Sequence, residues 1–165
     1  MTTANERFIP PDFTNHSPLT WYQAAASRPG FIQDASQRKA IECLDKLWTE
    51  LMMFKRKRNR FLGRSLRSPQ LPKGLYFYGG VGRGKSFLMD VFYGCLPYRR
   101  KRRVHFHAFM AEIHRRLREL KSEQDPLKSV AAEIARETRV LCFDEFHVSD
   151  IADAMILGRL LENLF

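Results

Sequence analysis

Eight consecutive residues, Gly79-Gly80-Val81-Gly82-Arg83-Gly84-Lys85-Ser86, fit the spacing G-x-x-x-x-G-K-[ST] of a phosphate-binding loop. The glycines let the backbone fold tightly and turn its N–H groups toward a phosphate. A helix that starts there adds unpaired donors and a favourable dipole. Lys85 is placed to reach the β- and γ-phosphates, and the Ser86 hydroxyl to ligate Mg²⁺. A second cluster lies downstream, where the apolar run Val140-Leu141-Cys142-Phe143 ends in Asp144-Glu145. A carboxylate at such a strand end suits a Mg²⁺ ligand, the role of Asp144. Glu145 suits a general base for the attacking water. A module that only binds nucleotide does not need this second carboxylate, so the pair points to hydrolysis. The bland alternatives are a glycine-rich turn that contains Lys-Ser and two acids that merely end a strand. The first is opposed by the flanking pattern, the second by the loop upstream.

The elements that must position these residues follow from periodicity. Gly74-Leu75-Tyr76-Phe77-Tyr78 reads as a buried parallel strand leading into the loop. Phe87-Leu88-Met89-Asp90-Val91-Phe92 reads as the helix leaving it, ending near Gly94 with Pro97 beyond. Val104-His105-Phe106-His107 predicts the second strand, followed by a helix carrying Phe109, Met110, Ile113, Leu117 and Leu120. Asp125-Pro126 opens another helix with Leu127, Val130, Ala131 and Ile134 on one face. Arg139 to Phe143 is the third strand. A last helix begins near Ser149 and carries Ile151, Met155, Leu160, Leu161 and Leu164. This alternation predicts an α/β fold, a parallel sheet with helices on both faces.

Upstream, residues 1–33 form an extended N-terminal segment with one short helix, opened by Ser17-Pro18 and closed by Pro29-Gly30. Residues 34–62 are an amphipathic helical arm, in which Asp34 and Gln37 resemble a capping box. Its stripe Ile41, Leu44, Leu47, Trp48, Leu51 and Phe54 has the spacing of a core-packing face. Residues 63–73 read as a linker, and 74–165 as the N-terminal part of a nucleotide-binding core. Three strands where such folds need about five, and an apolar helix running to Phe165, make the chain read as the N-terminal portion of a longer protein.

Composition bounds the function. No apolar run approaches the roughly 20 residues of a membrane-spanning helix. The N-terminus lacks the apolar stretch of a signal peptide, so a cytoplasmic location is expected. Cys43, Cys95 and Cys142 have neither zinc-site nor disulfide spacing. The net charge of +10 is concentrated in Lys55-Arg56-Lys57-Arg58-Asn59-Arg60 and Arg99-Arg100-Lys101-Arg102-Arg103, both expected between structured elements. These runs suit an acidic partner (nucleic acid, an anionic membrane surface or an acidic protein segment) or a solvated surface. His105 and His107, two apart on a strand, would share one side. A metal site would need a third ligand that is not nearby in sequence. His147 stands where it could position water, or be an exposed loop residue.

The stretches Gly74 to Tyr93, Arg102 to Met110 and, most specifically, Leu141 to Leu157 resemble the ZapE-type cell-division ATPases and their mitochondrial AFG-like relatives. The resemblance covers roughly residues 34–165. It implies a P-loop NTPase of the AAA+-like kind, here incomplete and preceded by a helical arm. It implies ATP binding by Gly79, Gly80, Val81, Gly82, Arg83, Gly84, Lys85 and Ser86. Mg²⁺ would be held by Ser86 and Asp144, and catalysis carried by Glu145 with Lys85. Bacterial members of that family associate with the division ring and its tubulin-like protein FtsZ. Mitochondrial members are linked to the handling of inner-membrane proteins. The expectation is therefore Mg²⁺-dependent ATP hydrolysis coupled to remodelling of a protein partner, FtsZ or another division-ring component. The full-length protein would self-associate and be cytoplasmic, peripheral at the division site. Two alternatives remain open: a nucleic-acid-associated ATPase of the helicase-loader type, and a nucleotide-gated adaptor with negligible hydrolysis. His147 replaces the aromatic or uncharged polar residue that family often has there. The sensor strand and arginine finger of such folds are not found within the 165 residues, which alone are expected not to turn over ATP.

Overall fold

The computed structural model describes residues 16–32, 34–59, 70–80 and 84–164. Most of the 63–73 stretch, and Val81, Gly82 and Arg83 of the loop, lie outside the described residues. The chain forms two compact units, one up to Pro97 and one from Tyr98 on.

In the first unit, helix α1 (Pro18–Ala26) starts as the sequence predicts: Ser17 is the N-cap, with Pro18 in the first turn. Its Oγ accepts a hydrogen bond from the Thr20 amide at 3.3 Å, satisfying a donor that the helix cannot. Helix α2 (Ala35–Asn59) and helix α3 (Lys85–Cys95) follow. The Asp34 carboxylate accepts from the Ser36 amide at 2.7 Å, so the cap of α2 closes on Ser36. The Asp45 carboxylate of α2 accepts from the Leu19 amide of α1 at 3.0 Å. Helix α3 buries Phe87, Leu88, Val91, Phe92 and Cys95. That pattern covers more than one face because α1 and α2 both pack on it. Phe87 is fully buried, with its ring centroid 5.9 Å from Trp21 and 6.3 Å from Phe31. At the far end of α3, the Trp48 indole donates to the Cys95 carbonyl at 2.8 Å, and the Lys55 ammonium to the Pro97 carbonyl at 2.6 Å. These bonds satisfy carbonyls where the helix ends.

The second unit runs β1 (Lys101–His105), α4 (Phe106–Glu119), α5 (Pro126–Glu137), β2 (Val140–Asp144) and α6 (Ile151–Leu164). Strands β1 and β2 are parallel, with Lys101 opposite Val140 and His105 opposite Asp144. Side chains alternate along each strand. Arg102 and Val104 of β1 therefore share a face with Leu141 and Phe143 of β2. Val104, Leu141 and Phe143 pack on the core formed by Phe106, Phe109, Met110 and Ile113 of α4, Leu127, Val130, Ala131 and Ile134 of α5, and Leu157 and Leu160 of α6. Arg103, His105, Cys142 and Asp144 stand on the other face. On the core side, Arg102 makes a two-pronged ion pair with Glu112 of α4. Arg116 extends that network to Glu112, Glu133 and Glu137 at 2.8, 2.9 and 2.8 Å. The Arg102 guanidinium is the main reason the Glu112 carboxyl lies below the ordinary range, aided by Arg116.

Four expectations are corrected. Residues 74–78 are not a buried strand: no regular structure covers 71–80, and Leu75, Tyr76 and Tyr78 are exposed. An apolar run gains a strand's hydrogen bonds only beside a partner, and the sheet among the described residues contains β1 and β2 alone. The core strand predicted at 104–107 lies at 101–105, so the basic run 99–103 is largely strand rather than a connection. His107 falls in the first turn of α4, which removes the shared strand face with His105. Arg56, Lys57 and Arg58 sit in the last turn of α2, where cations meet the negative end of the helix dipole.

Candidate functional site

Each unit carries one of the two chemical clusters. In the first, Gly84 is the N-cap of α3 and has left-handed backbone, φ 77°. A side chain there would be strained. Gln37 of α2 also approaches closely: a Cβ on Gly84 would lie 2.6 Å from the Gln37 amide nitrogen, so that side chain would have to shift. Gly79 likewise has φ 145°. The Lys85 ammonium donates to the carbonyls of Gly79 and Gly80 at 2.8 and 2.7 Å. The lysine thus bends back over the start of the loop, and its charge sits beside the N-terminus of α3. Ser86 is exposed in the first turn of that helix. A cation, a helix N-terminus and a left-handed glycine in one short segment form an arrangement suited to a polyphosphate.

In the second unit, Asp144 ends β2 with its side chain 13% exposed. Its carboxylate pairs with Arg103 of β1 at 2.7 Å. The strand register explains this pair: Arg103 and His105 lie on the same face as Asp144, with Arg103 two residues before its partner His105. Glu145 has positive φ, 51°, which costs a non-glycine residue about 1–2 kcal/mol. That turn sends Phe146 back onto the rings of Phe106 and Phe143, at 4.7 and 5.6 Å. Glu145 itself remains exposed, its carboxylate 3.9 Å from the His105 imidazole. The strand end thus presents one exposed carboxylate, Glu145, beside one largely sheltered carboxylate, Asp144. Each cluster offers a hard oxygen donor of the kind Mg²⁺ takes, the Ser86 hydroxyl in one and the Asp144 carboxylate in the other. Burial pushes the Cys142 thiol up to about 11, which makes it a packing residue and not a nucleophile. His147 is exposed.

Three site-shaping residues escape the sequence reading: Arg103, Gln37 and Phe146. Arg103 is masked by the basic run around it, and only the register reveals its acid partner. Gln37 is absorbed into an apparent capping box. Phe146 carries no chemistry of its own, and its role follows from the left-handed residue before it.

Comparison with known proteins agrees with the motifs. The model of the AFG1-like ATPase family matches residues 16–165. The cell division protein ZapE of Escherichia coli is 41% identical over 160 residues, covering 90% of this chain and 43% of that protein. An uncharacterised protein of Schizosaccharomyces pombe is 37% identical over 184 residues, covering 91% and 40%. Lactation elevated protein 1 homolog B of Danio rerio is 52% identical over 108 residues, covering 59% and 22%. The chain spans less than half the length of these curated relatives. No solved structure matches. No helix among the described residues is long and apolar enough to cross a membrane. With the family model spanning nearly all of its residues, the chain belongs to the AFG1-like ATPase family.

Proposed function

We propose that this chain carries the Mg²⁺-dependent ATP-hydrolysing centre of a protein that remodels a protein partner in cell division. The phosphates bind along Gly79 to Ser86, Lys85 neutralises the β- and γ-phosphates, Ser86 and Asp144 hold Mg²⁺, and Glu145 activates water. Residues 34–62 form a helical arm and 74–165 the part of the ATPase core present here. The observation that carries the reading is the Lys85 ammonium, drawn onto the Gly79 and Gly80 carbonyls at the N-terminus of α3. A group that already binds two carbonyl oxygens at this point can exchange them for phosphate oxygens without moving far. The division setting rests on the likeness to a protein named for that process. A division-ring partner such as FtsZ, self-association of the full-length protein and a peripheral cytoplasmic location belong to the same proposal.

The nucleic-acid reading draws on the two basic runs. It loses support because Arg102 and Arg103 are engaged in ion pairs with Glu112 and Asp144. Two variants of the full-length protein test the ATPase assignment. Lys85→Ala should abolish nucleotide binding without unfolding the protein. Glu145→Gln should retain Mg²⁺-dependent ATP binding and slow hydrolysis about 10²-fold or more. Near-normal turnover by Lys85→Ala would overturn the phosphate-loop assignment. Undiminished hydrolysis by Glu145→Gln would reduce Glu145 to a strand end.

A further inference from the structure

Helix α2 lies alongside α3 and meets it at both ends. At the far end, Trp48 and Lys55 bind the carbonyls of Cys95 and Pro97. At the near end, the first turn of α2 brings Gln37 against Gly84. A Cβ on that glycine would lie 2.6 Å from the Gln37 nitrogen, 3.3 Å from its Cδ and 3.9 Å from its Cγ. The side chain therefore lies along the glycine, with its amide end closest. Gly84 is also the left-handed residue at which the loop becomes helix. The cap of α2 is closed by Asp34 on Ser36 through both its amide and its hydroxyl, at 2.7 and 2.6 Å. The amide end of Gln37 lies against Gly84 at the head of α3.

We propose that Gln37 is a positioning residue of the nucleotide site. Its side-chain amide packs on Gly84 and supports the left-handed conformation at which the loop becomes α3, so that α2 braces the head of that helix. The proposal rests on the phosphate-loop assignment above. Its chemistry favours a neutral amide at this position. A carboxylate of the same shape would place a negative charge beside a polyphosphate in a partly desolvated setting, where such repulsion is strong. Because the backbone of such a loop cradles the α- and β-phosphates, which ATP and ADP share, both should be affected alike.

The test uses the full-length protein and a fluorescent analogue of each nucleotide, with binding affinity as the readout and thermal unfolding without nucleotide as the control. Gln37→Glu should weaken ATP and ADP binding about tenfold or more, with little change in unfolding temperature. Gln37→Asn keeps the amide but withdraws it by one methylene. It should weaken binding several-fold and serves if Gln37→Glu folds poorly. Lys39→Gln, at an exposed position two residues on, makes the same one-unit change of net charge and should alter affinity by less than twofold. If Gln37→Glu and Gln37→Asn bind both nucleotides as Lys39→Gln does, Gln37 has no part in the site. Lys85→Ala run in parallel separates the two levels of argument. Loss of binding there with normal binding by the Gln37 variants refutes the positioning role alone. Retained binding by Lys85→Ala refutes the phosphate-loop assignment and the inference with it.

Discussion

Replacing Phe146 by Ala tests how Glu145 is held. The Phe146 ring is half-buried and sits 4.7 Å from Phe106 and 5.6 Å from Phe143. Half of a phenylalanine's burial contributes about 1–1.5 kcal/mol. Two tilted ring pairs add about 0.5–1.5 kcal/mol each. Against this stands the left-handed backbone of Glu145, which costs about 1–2 kcal/mol. The anchor therefore outweighs the strain by a small margin, and without it Glu145 has no reason to keep φ near 51°. We expect Phe146→Ala to lower stability in denaturant unfolding by about 2–3 kcal/mol, and Phe146→Leu by about 1 kcal/mol, since Leu keeps the apolar area but not the ring pairs. Steady-state ATPase assays on the full-length protein should show kcat down about tenfold or more for Phe146→Ala, because a misplaced base loses its geometry. Nucleotide affinity should change little, because the proposed phosphate-binding residues are Gly79 to Ser86. An unchanged kcat with the expected loss of stability would refute the link between the aromatic anchor and Glu145. A fall in affinity at constant kcat would refute the division of labour between the two clusters.

Other outcomes follow from the ion pairs and helix contacts. Glu112 is held below its ordinary pKa by Arg102 and Arg116, so its contribution is present above the unfolded-state value of about 4.3 and lost as pH falls through the lower folded value. Stability measured by urea unfolding should decline in that acid window, and Glu112→Gln should flatten the decline. Trp48→Phe removes the indole bond to the Cys95 carbonyl and should cost about 1 kcal/mol of unfolding free energy; no measurable loss would show that water replaces the bond. Replacing Arg99, Arg100, Arg102 and Arg103 together by Gln should lower the unfolding temperature, because Arg102, Arg103 and the Arg100 bond to the Arg136 carbonyl are all used internally. Replacing Arg56, Lys57 and Arg58 by Gln leaves those contacts intact. That variant should weaken binding to the proposed division-ring partner and lower its salt sensitivity if the end of α2 meets an acidic surface, and an unchanged salt profile would mark it as solvated.

The helices were legible because their signals are local. Ser17-Pro18 and Asp125-Pro126 mark two starts that the structure keeps, with Ser17 and Asp125 as N-caps. The apolar stripes of α4 and α5 face the core as their spacing predicts. Strands fared worse, because a strand is defined by a neighbour that the sequence does not name. Residues 74–78 have the composition of a strand, yet the sheet among the described residues contains β1 and β2 alone. Lys101 to Arg103 have the composition of a surface loop, yet they lie in a ladder with β2. A strand can carry Arg102 on its core face only because Glu112 waits there on α4. That compensation requires a helix whose packing is not visible ten residues upstream.

The same division separates the proposed reacting groups from the residues packed around them. Lys85, Ser86, Asp144 and Glu145 are fixed in sequence by the spacing their chemistry needs. Arg103, Gln37 and Phe146 are fixed by register, helix packing and a left-handed turn. Asp34 and Gln37 show the limit most directly. The pattern D-x-x-Q has the spacing of a reciprocal cap, and one member behaves as such, because the Asp34 carboxylate reaches an amide of the first turn. The other member has a longer side chain and a competing neighbour, the glycine at the head of α3. A local pattern gives the reach of each side chain but not what stands within that reach. Once α2 is laid along α3, the residue whose spacing suits a helix cap meets Gly84 at the head of α3.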